Sequence, residues 1–195
     1  HRRSSAASDV YKRQEMVTPP NAVLHLGAMD WTPNVQGVQW LKDEVWPLVH
    51  QTSPELRLLL AGRHMPEDWT SDEALGIDVL GEVENAQATY NSPCIVVVPL
   101  HAGSGMRIKL AEALAAGRPV VTTTKGMEGM DLTPGKHVWV ADDAPAMSEA
   151  LVRLIDSPET AIELGKAGRQ WALDHLGHRA RARILTDHLQ SWVDA

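Results

Sequence analysis

The sequence predicts an α/β domain built on a doubly wound, Rossmann-like parallel sheet. Short apolar runs of strand length recur along the chain, and amphipathic stretches of helical period fall between them. Each run is apolar at successive rather than alternate positions, which marks strands buried on both faces. A sheet covered by helices on both faces is a parallel one. Such sheets bind ligands at the carboxyl ends of their strands, where helix N-termini point.

The elements follow in order. AVLHLGA (22–28) reads as the first strand. Thr32 reads as an N-cap with Pro33 at the first helical position, opening a helix through about His50. Val38, Leu41, Val45, Leu48 and Val49 form its apolar face. LRLLLAG (56–62) is the second strand, and the polar stretch after it, with Trp69, is a loop or short helix. IDVLGEV (77–83) is the third strand, a short helix covers roughly 85–91, and CIVVVPL (94–100) is the fourth strand. The next helix ends at Gly117, and Pro119 prevents its continuation. VVTTT (120–124) and HVWVA (137–141) supply two more strands. Helices at about 144–156, 159–174 and 178–193 complete the chain, the last rich in arginine.

With 195 residues and 44% hydrophobic content, the chain suffices for one sizeable core. One cysteine, Cys94, excludes a disulfide framework and suggests a reducing compartment. No apolar run reaches membrane-span length. His175 and His178 stand close together, but no cysteine or carboxylate set accompanies them, so they read as surface histidines. Residues 4–14, SSAASDVYKRQ, match letter for letter the one-frame translation of a transposase sequencing adapter. Residues 1–14 are therefore expected to be an adapter-derived, disordered artefact rather than a basic leader, with the natural N-terminus missing. Setting that segment aside removes four cations and one anion and takes the net charge from −7 to −10. An acidic domain of this kind is poorly suited to nucleic acid. One domain is expected over 15–175, with a terminal helical segment at 176–195.

The chemistry concentrates in PLHAGSGMRIKLAEALAAGRPVV (99–121). The turn Gly103-Ser104-Gly105 precedes a helix, and glycines let backbone amides approach an anion. Arg107 and Lys109 fall in the first helical turn, where the dipole disfavours cations by roughly a few tenths of a kcal/mol each. A diphosphate in front of the helix reverses that balance, since each charge-assisted hydrogen bond contributes about 1.5–3 kcal/mol. Glu112 shares a helix face with Lys109 and could accept two hydroxyl hydrogen bonds, as a ribose diol offers. The plainer alternative is a solvent-facing Lys–Glu pair on a surface helix.

GAMDWTPNVQGVQWL (27–41), LLLAGR (58–63), VLGEV (79–83) and VVVPLHAGSGMRIKLAEALAAGRPVVTTTKGMEGM (96–130) carry a resemblance. Together they resemble the C-terminal, donor-binding half of GT-B glycosyltransferases of the family-4 type, the glycosyl transferases group 1. The subgroup resembled has a Gly-Ser-Met-Asp-Trp-x-Pro-Asn opening and a Gly-Gly-Gly-Thr-Arg-x-Lys-x-x-Glu-Ala site helix. The likeness runs in order from residue 22 to about 175. It implies a nucleotide-sugar-binding domain at 15–175 and a helix at 176–195 that packs on a missing N-terminal domain. It further implies a retaining hexosyltransferase that uses a nucleotide diphosphate sugar, with no metal and no other cofactor.

By this resemblance Glu112 matches the second glutamate of a Glu-x7-Glu pattern, which holds the ribose hydroxyls. Gly103, Ser104 and Gly105 match the loop beside diphosphate and sugar, and Gly27 matches the glycine that lets backbone pass close to the phosphates. Two departures stand out. Ser104 occupies the place of the first, sugar-reading glutamate, and Ala28 and Gln36 stand near where relatives carry a phosphate-binding Arg–Lys pair. Arg107 and Lys109, with Arg63 at the end of the second strand, are expected to replace that pair as the groups that stabilise the departing diphosphate. Glu128 faces the nucleotide or sugar, or is a plain loop carboxylate. His101 stands near the site, with an acid–base role the less favoured reading. Asn34 reads as satisfying the helix start rather than touching donor, Trp31, Trp40 and Trp46 as core or interdomain surface, and Trp139 as core.

The implied partners are a nucleotide-sugar donor, the preceding N-terminal domain, and an acceptor of lipid-linked or polysaccharide type, with no nucleic acid. The implied location is cytoplasmic, peripheral at the inner membrane face through that domain. Alone, this chain is expected to bind donor weakly and to transfer nothing. The alternatives are a GT-B-fold nucleotide-sugar epimerase and a non-catalytic nucleotide-sugar-binding module.

Overall fold

The structure, a computed structural model, describes residues 18–103 and 107–177. The adapter-like segment 1–14, Ser104, Gly105 and the arginine-rich segment expected as a helix over 178–193 lie outside the described residues. Six strands form one sheet: β1 (Ala22–Leu26), β2 (Arg57–Ala61), β3 (Ile77–Gly81), β4 (Cys94–Val98), β5 (Val120–Thr122) and β6 (Trp139–Val140). All pairings are parallel, in the order β3-β2-β1-β4-β5-β6. The order reverses between β1 and β4, which register through Ala22 with Cys94, Val23 with Ile95 and Leu24 with Val96. A doubly wound sheet opens its ligand crevice at that reversal.

Both central strands, β1 and β4, are buried at every residue, as continuous apolar runs require. Alternate side chains feed two cores. Val23, Leu58, Leu60, Ile95, Val97 and Val121 pack under α1 (Thr32–Trp40), α2 (Trp46–Thr52) and α5 (Ala144–Asp156). Leu24, Val96, Val98 and Val120 face α4 (Ile108–Ala115) and α6 (Pro158–Leu176) on the other side. A short α3 (Ala86–Thr89) precedes β4, and the Asn85 side chain caps it by accepting from the Ala88 amide at 3.1 Å.

Several boundaries differ from expectation for local reasons. Trp31, not Thr32, holds the cap position of α1: the amides of Asn34 and Val35 donate to its carbonyl at 2.9 and 3.3 Å. The helix expected through His50 reaches Thr52 but changes pitch, with a π-helical stretch at Leu41–Val45 where the Trp46 amide bonds the Leu41 carbonyl. Pro47 has no N–H to continue the α-ladder, and the wider turn just before it absorbs the interruption. Strand β5 ends at Thr122, and the Thr122 and Thr123 hydroxyls donate to the carbonyls of Val98 and Leu100. Gly117, at φ 71°, follows the last turn of α4 as expected. Trp139 is half-buried rather than core, with the Arg153 guanidinium 5.1 Å from its ring centroid.

Candidate donor site at the sheet's switch point

Strand β1 delivers the chain to Gly27, at the mouth of the crevice. The Gly27 amide donates to the Ala61 carbonyl at 3.0 Å, and the Met29 amide donates to the Arg63 carbonyl at 2.9 Å. Gly62, at φ 142°, presses on the same turn so closely that any side chain there would strike the Gly27 carbonyl. A side chain on Gly27 itself would meet three nitrogens: Lys109 Nζ at 2.8 Å, His25 Nε2 at 3.1 Å and Asn34 Nδ2 at 3.2 Å. Residues from β1, α1 and α4 therefore converge on one glycine.

Asn34 orients the cluster. It is buried, its Nδ2 donates to the Ala28 carbonyl at 2.7 Å, and its Oδ1 accepts from the Lys109 ammonium. Its role is thus to bind a loop carbonyl and a cation; it does not cap the helix start. Burial, and secondarily the Arg107 charge, lower the Lys109 pKa to about 8. His25 is fully buried, with Nδ1 3.1 Å from the Val97 carbonyl oxygen. A carbonyl only accepts, so Nδ1 carries the proton and Nε2 presents a bare lone pair. Burial first, then the Lys109 charge, push the His25 pKa down to about 3, which keeps the ring neutral.

The two cations expected at the helix start are not equivalent. Arg107 occupies the cap position of α4, and its buried guanidinium turns back to donate to the carbonyls of Gly103 at 3.2 Å and Lys125 at 3.1 Å. Glu128 lies 3.7 Å from it and 2.6 Å from Lys125 Nζ, and the bond and charge of Lys125 lower its pKa, with a smaller pull from Arg107. Arg107 thereby joins the Gly103 turn to the segment 125–128. Lys109, by contrast, reaches the switch point.

Gly103 has φ 101°, and the Trp31 ring lies against it where a side chain would otherwise stand. That ring is 36% exposed and its centroid is 6.0 Å from Lys109 Nζ, so Trp31 forms a wall of the crevice rather than core. Trp46 is core, whereas Trp40 takes the exposed His101 edge-on at 4.4 Å between centroids. Glu112 is exposed on α4 one turn beyond Lys109, and partial burial raises its pKa. The Arg63 side chain is exposed just past β2. Of the residues singled out in the sequence, Gly27 and Lys109 meet at one centre, while Gly103, Arg107 and Glu128 form a second group beside it. His25 was not foreseen. Its signal was a lone polar residue inside a buried strand, two positions before the glycine.

A six-stranded parallel sheet in the order 3-2-1-4-5-6 is the Rossmann arrangement, and solved GT-B glycosyltransferases share it with this chain. The C-terminal domain of the glycosyl transferase group 1 protein LpcC from Francisella tularensis superposes with a TM-score of 0.66 at 15% identity, covering 82% of this chain and 88% of that one. Anabaena HepE, solved with UDP, superposes at 0.69 and 14% identity over 97% of this chain and 53% of its own. The profile of the family Glycosyl transferases group 1 matches residues 20–157, and the chain belongs to that family. A GDP-mannose-dependent α-(1-6)-phosphatidylinositol monomannoside mannosyltransferase of Mycolicibacterium smegmatis is 37% identical over 93 residues, 47% of this chain and 24% of the relative. The chain spans between about a quarter and two fifths of the length of the curated relatives it matches. Among the described residues, no helix is long and apolar enough to cross a membrane.

Proposed function

We propose that this domain binds a nucleoside diphosphate sugar and, joined to the other half of a GT-B enzyme, transfers the hexose to an acceptor hydroxyl with retention. The observation that carries this reading is the Lys109 ammonium, brought to the switch point over Gly27 by a neutral partner and lacking a carboxylate in its described hydrogen bonds. Lys109 stands in the first turn of α4, whose first amides lack intrahelical acceptors and favour an anion.

The residues act in sequence along the donor. Lys109 and the helix amides stabilise the charge that grows on the diphosphate as the glycosidic bond breaks. Arg107 holds the Gly103 turn and the 125–128 segment in register around that position and adds positive potential. Glu112, one turn along, accepts the ribose hydroxyls through its carboxyl oxygens. The acceptor hydroxyl attacks on the face from which the diphosphate leaves and passes its proton to the departing phosphate oxygen as the anomeric C–O bond to phosphate breaks, which retains the anomeric configuration. The mannosyltransferase relative, named for a phosphatidylinositol monomannoside, supports a lipid-linked acceptor presented by the other half of the enzyme.

Isothermal titration of the 195-residue chain with UDP, GDP and inorganic pyrophosphate tests the reading. Saturable binding is expected for a nucleoside diphosphate. Glu112→Gln should weaken nucleotide binding by about tenfold while changing pyrophosphate binding by less than about twofold. Equal weakening of both would remove Glu112 from the ribose, and no binding of any of the three would defeat the donor assignment.

A further inference from the structure

One buried group at the crevice has no role in the chemistry above. His25 Nε2 is inaccessible to water and has no hydrogen-bond partner among the described residues. An orphaned buried acceptor is costly, and its neighbourhood usually explains it. Here the neighbourhood is a cation with donors to spare. The Lys109 ammonium carries three N–H groups and gives one to Asn34 Oδ1. Its nitrogen and His25 Nε2 lie 2.8 and 3.1 Å from the same point, the place a Gly27 side chain would occupy.

The charges around Lys109 sharpen the case. Arg107, at the cap of the same helix, repels it. Tyr90, at the end of α3, donates to its backbone carbonyl at 3.5 Å. Glu112 stands one turn further along α4, and Glu128 is bound by Lys125 and lies next to Arg107. Among the described residues, the titratable neighbour on the β1 side is His25, whose ring is neutral and fixed as the Nδ1–H tautomer by Val97.

We propose that His25 is a positioning residue for Lys109: its bare Nε2, unbonded in this structure, stands beside the ammonium that Asn34 Oδ1 already holds, so that a small shift of the lysine gives it two neutral acceptors at Gly27 without neutralising it. The inference rests on the donor-binding reading and deepens it. A carboxylate at position 25 would pair with the ammonium and compete with the ligand's phosphates. An aliphatic side chain would leave the ammonium a single acceptor and favour its deprotonation. A neutral lone pair avoids both outcomes, and the glycine leaves space for the approach.

Nitrogen-15 NMR of His25 and Lys109 in the ligand-free 195-residue chain, followed by pyrophosphate titration, tests the proposal. In the unsubstituted protein the His25 Nε2 resonance should move as Lys109 loses its proton, while Nδ1 stays protonated. A Nε2 signal static through that titration overturns the proposal, whatever becomes of the variants. His25→Leu should lower the Lys109 midpoint by about one pH unit and weaken pyrophosphate binding near pH 8 about tenfold. His25→Gln, which keeps a neutral acceptor, should restore most of both; a Leu variant titrating like the parent overturns the proposal. Should pyrophosphate fail to bind the parent, the donor reading falls, while the ligand-free titration still decides the link between His25 and Lys109.

Discussion

Two cations stand at opposite ends of this sheet and are held in opposite ways. Arg57, the first residue of β2, is gripped by two carboxylates: Asp78 on the neighbouring strand, at 2.5 and 2.9 Å, and Glu73, at 2.8 and 3.1 Å. Each partner stabilises the other's charge, raising the Arg57 pKa and lowering that of Glu73, with the hydrogen bonds the leading cause. Lys109, at the carboxyl end, rests on an amide oxygen beside a neutral imidazole. The paired arginine ties β2 to the edge strand β3 and has little charge left to offer. The lysine keeps its charge at the cost of desolvation, and that arrangement makes physical sense where an anion is to arrive.

The contrast can be broken most decisively at the lysine. Lys109→Met removes the charge and keeps much of the side-chain volume. UDP affinity measured by titration calorimetry should fall about 10- to 100-fold, the range for losing one charge-assisted hydrogen bond to phosphate, while the thermal midpoint holds or rises. Unchanged affinity would mean that the ammonium serves only the fold.

A smaller, more diagnostic effect comes from pH. The Lys109 pKa of about 8 lies below its ordinary value, and a bound diphosphate should raise it. UDP affinity is then greatest below about pH 8 and falls by up to about tenfold per unit above it, with proton uptake visible as a buffer-dependent binding enthalpy. Stability moves the other way. Between about pH 8 and the ordinary lysine value, the unfolded chain binds more protons at this site than the folded one, so this residue's contribution to stability rises with pH. Affinity and stability that fell together over this range would assign the titration to another group. The smallest effect on binding belongs to the opposite end: Arg57→Ala should leave UDP binding within about twofold and lower the thermal midpoint by a few degrees, about the loss of a partly solvent-screened ion pair.

Much of the fold was legible in the sequence because it depends on local pattern. The continuous apolar runs at 22–26 and 94–98 announced central strands, and the helix at Ala144–Asp156 could be read to its boundaries. The site was legible in part. Gly27 and Lys109 were both recognisable, yet nothing local shows that they touch, since they meet only because β1 and β4 are neighbours. Arg107 and Lys109 looked alike, two cations two residues apart. A single non-helical residue at the cap turns one guanidinium into the loops and leaves the other cation facing the crevice. Asn34 was read as a capping residue because asparagine so often caps, but its partners lie 6 and 75 residues away. The change of pitch before Pro47 left the apolar spacing intact, so periodicity carried no trace of it.

The meeting of Gly27 and Gly62 has a consequence for how such a domain can diversify. Where those two glycines touch, the floor of the crevice is main chain, and main chain presents the same amides and carbonyls whatever residues surround it. The rim, with Trp31, Arg63 and Glu112, is made of side chains that can be exchanged without moving the floor. Under the proposed donor-binding reading, a phosphate, common to every nucleotide donor, would belong on the part that substitution barely alters, and the sugar and base on the part it can rewrite. New donor preferences would then arise at the rim while the floor stays as it is.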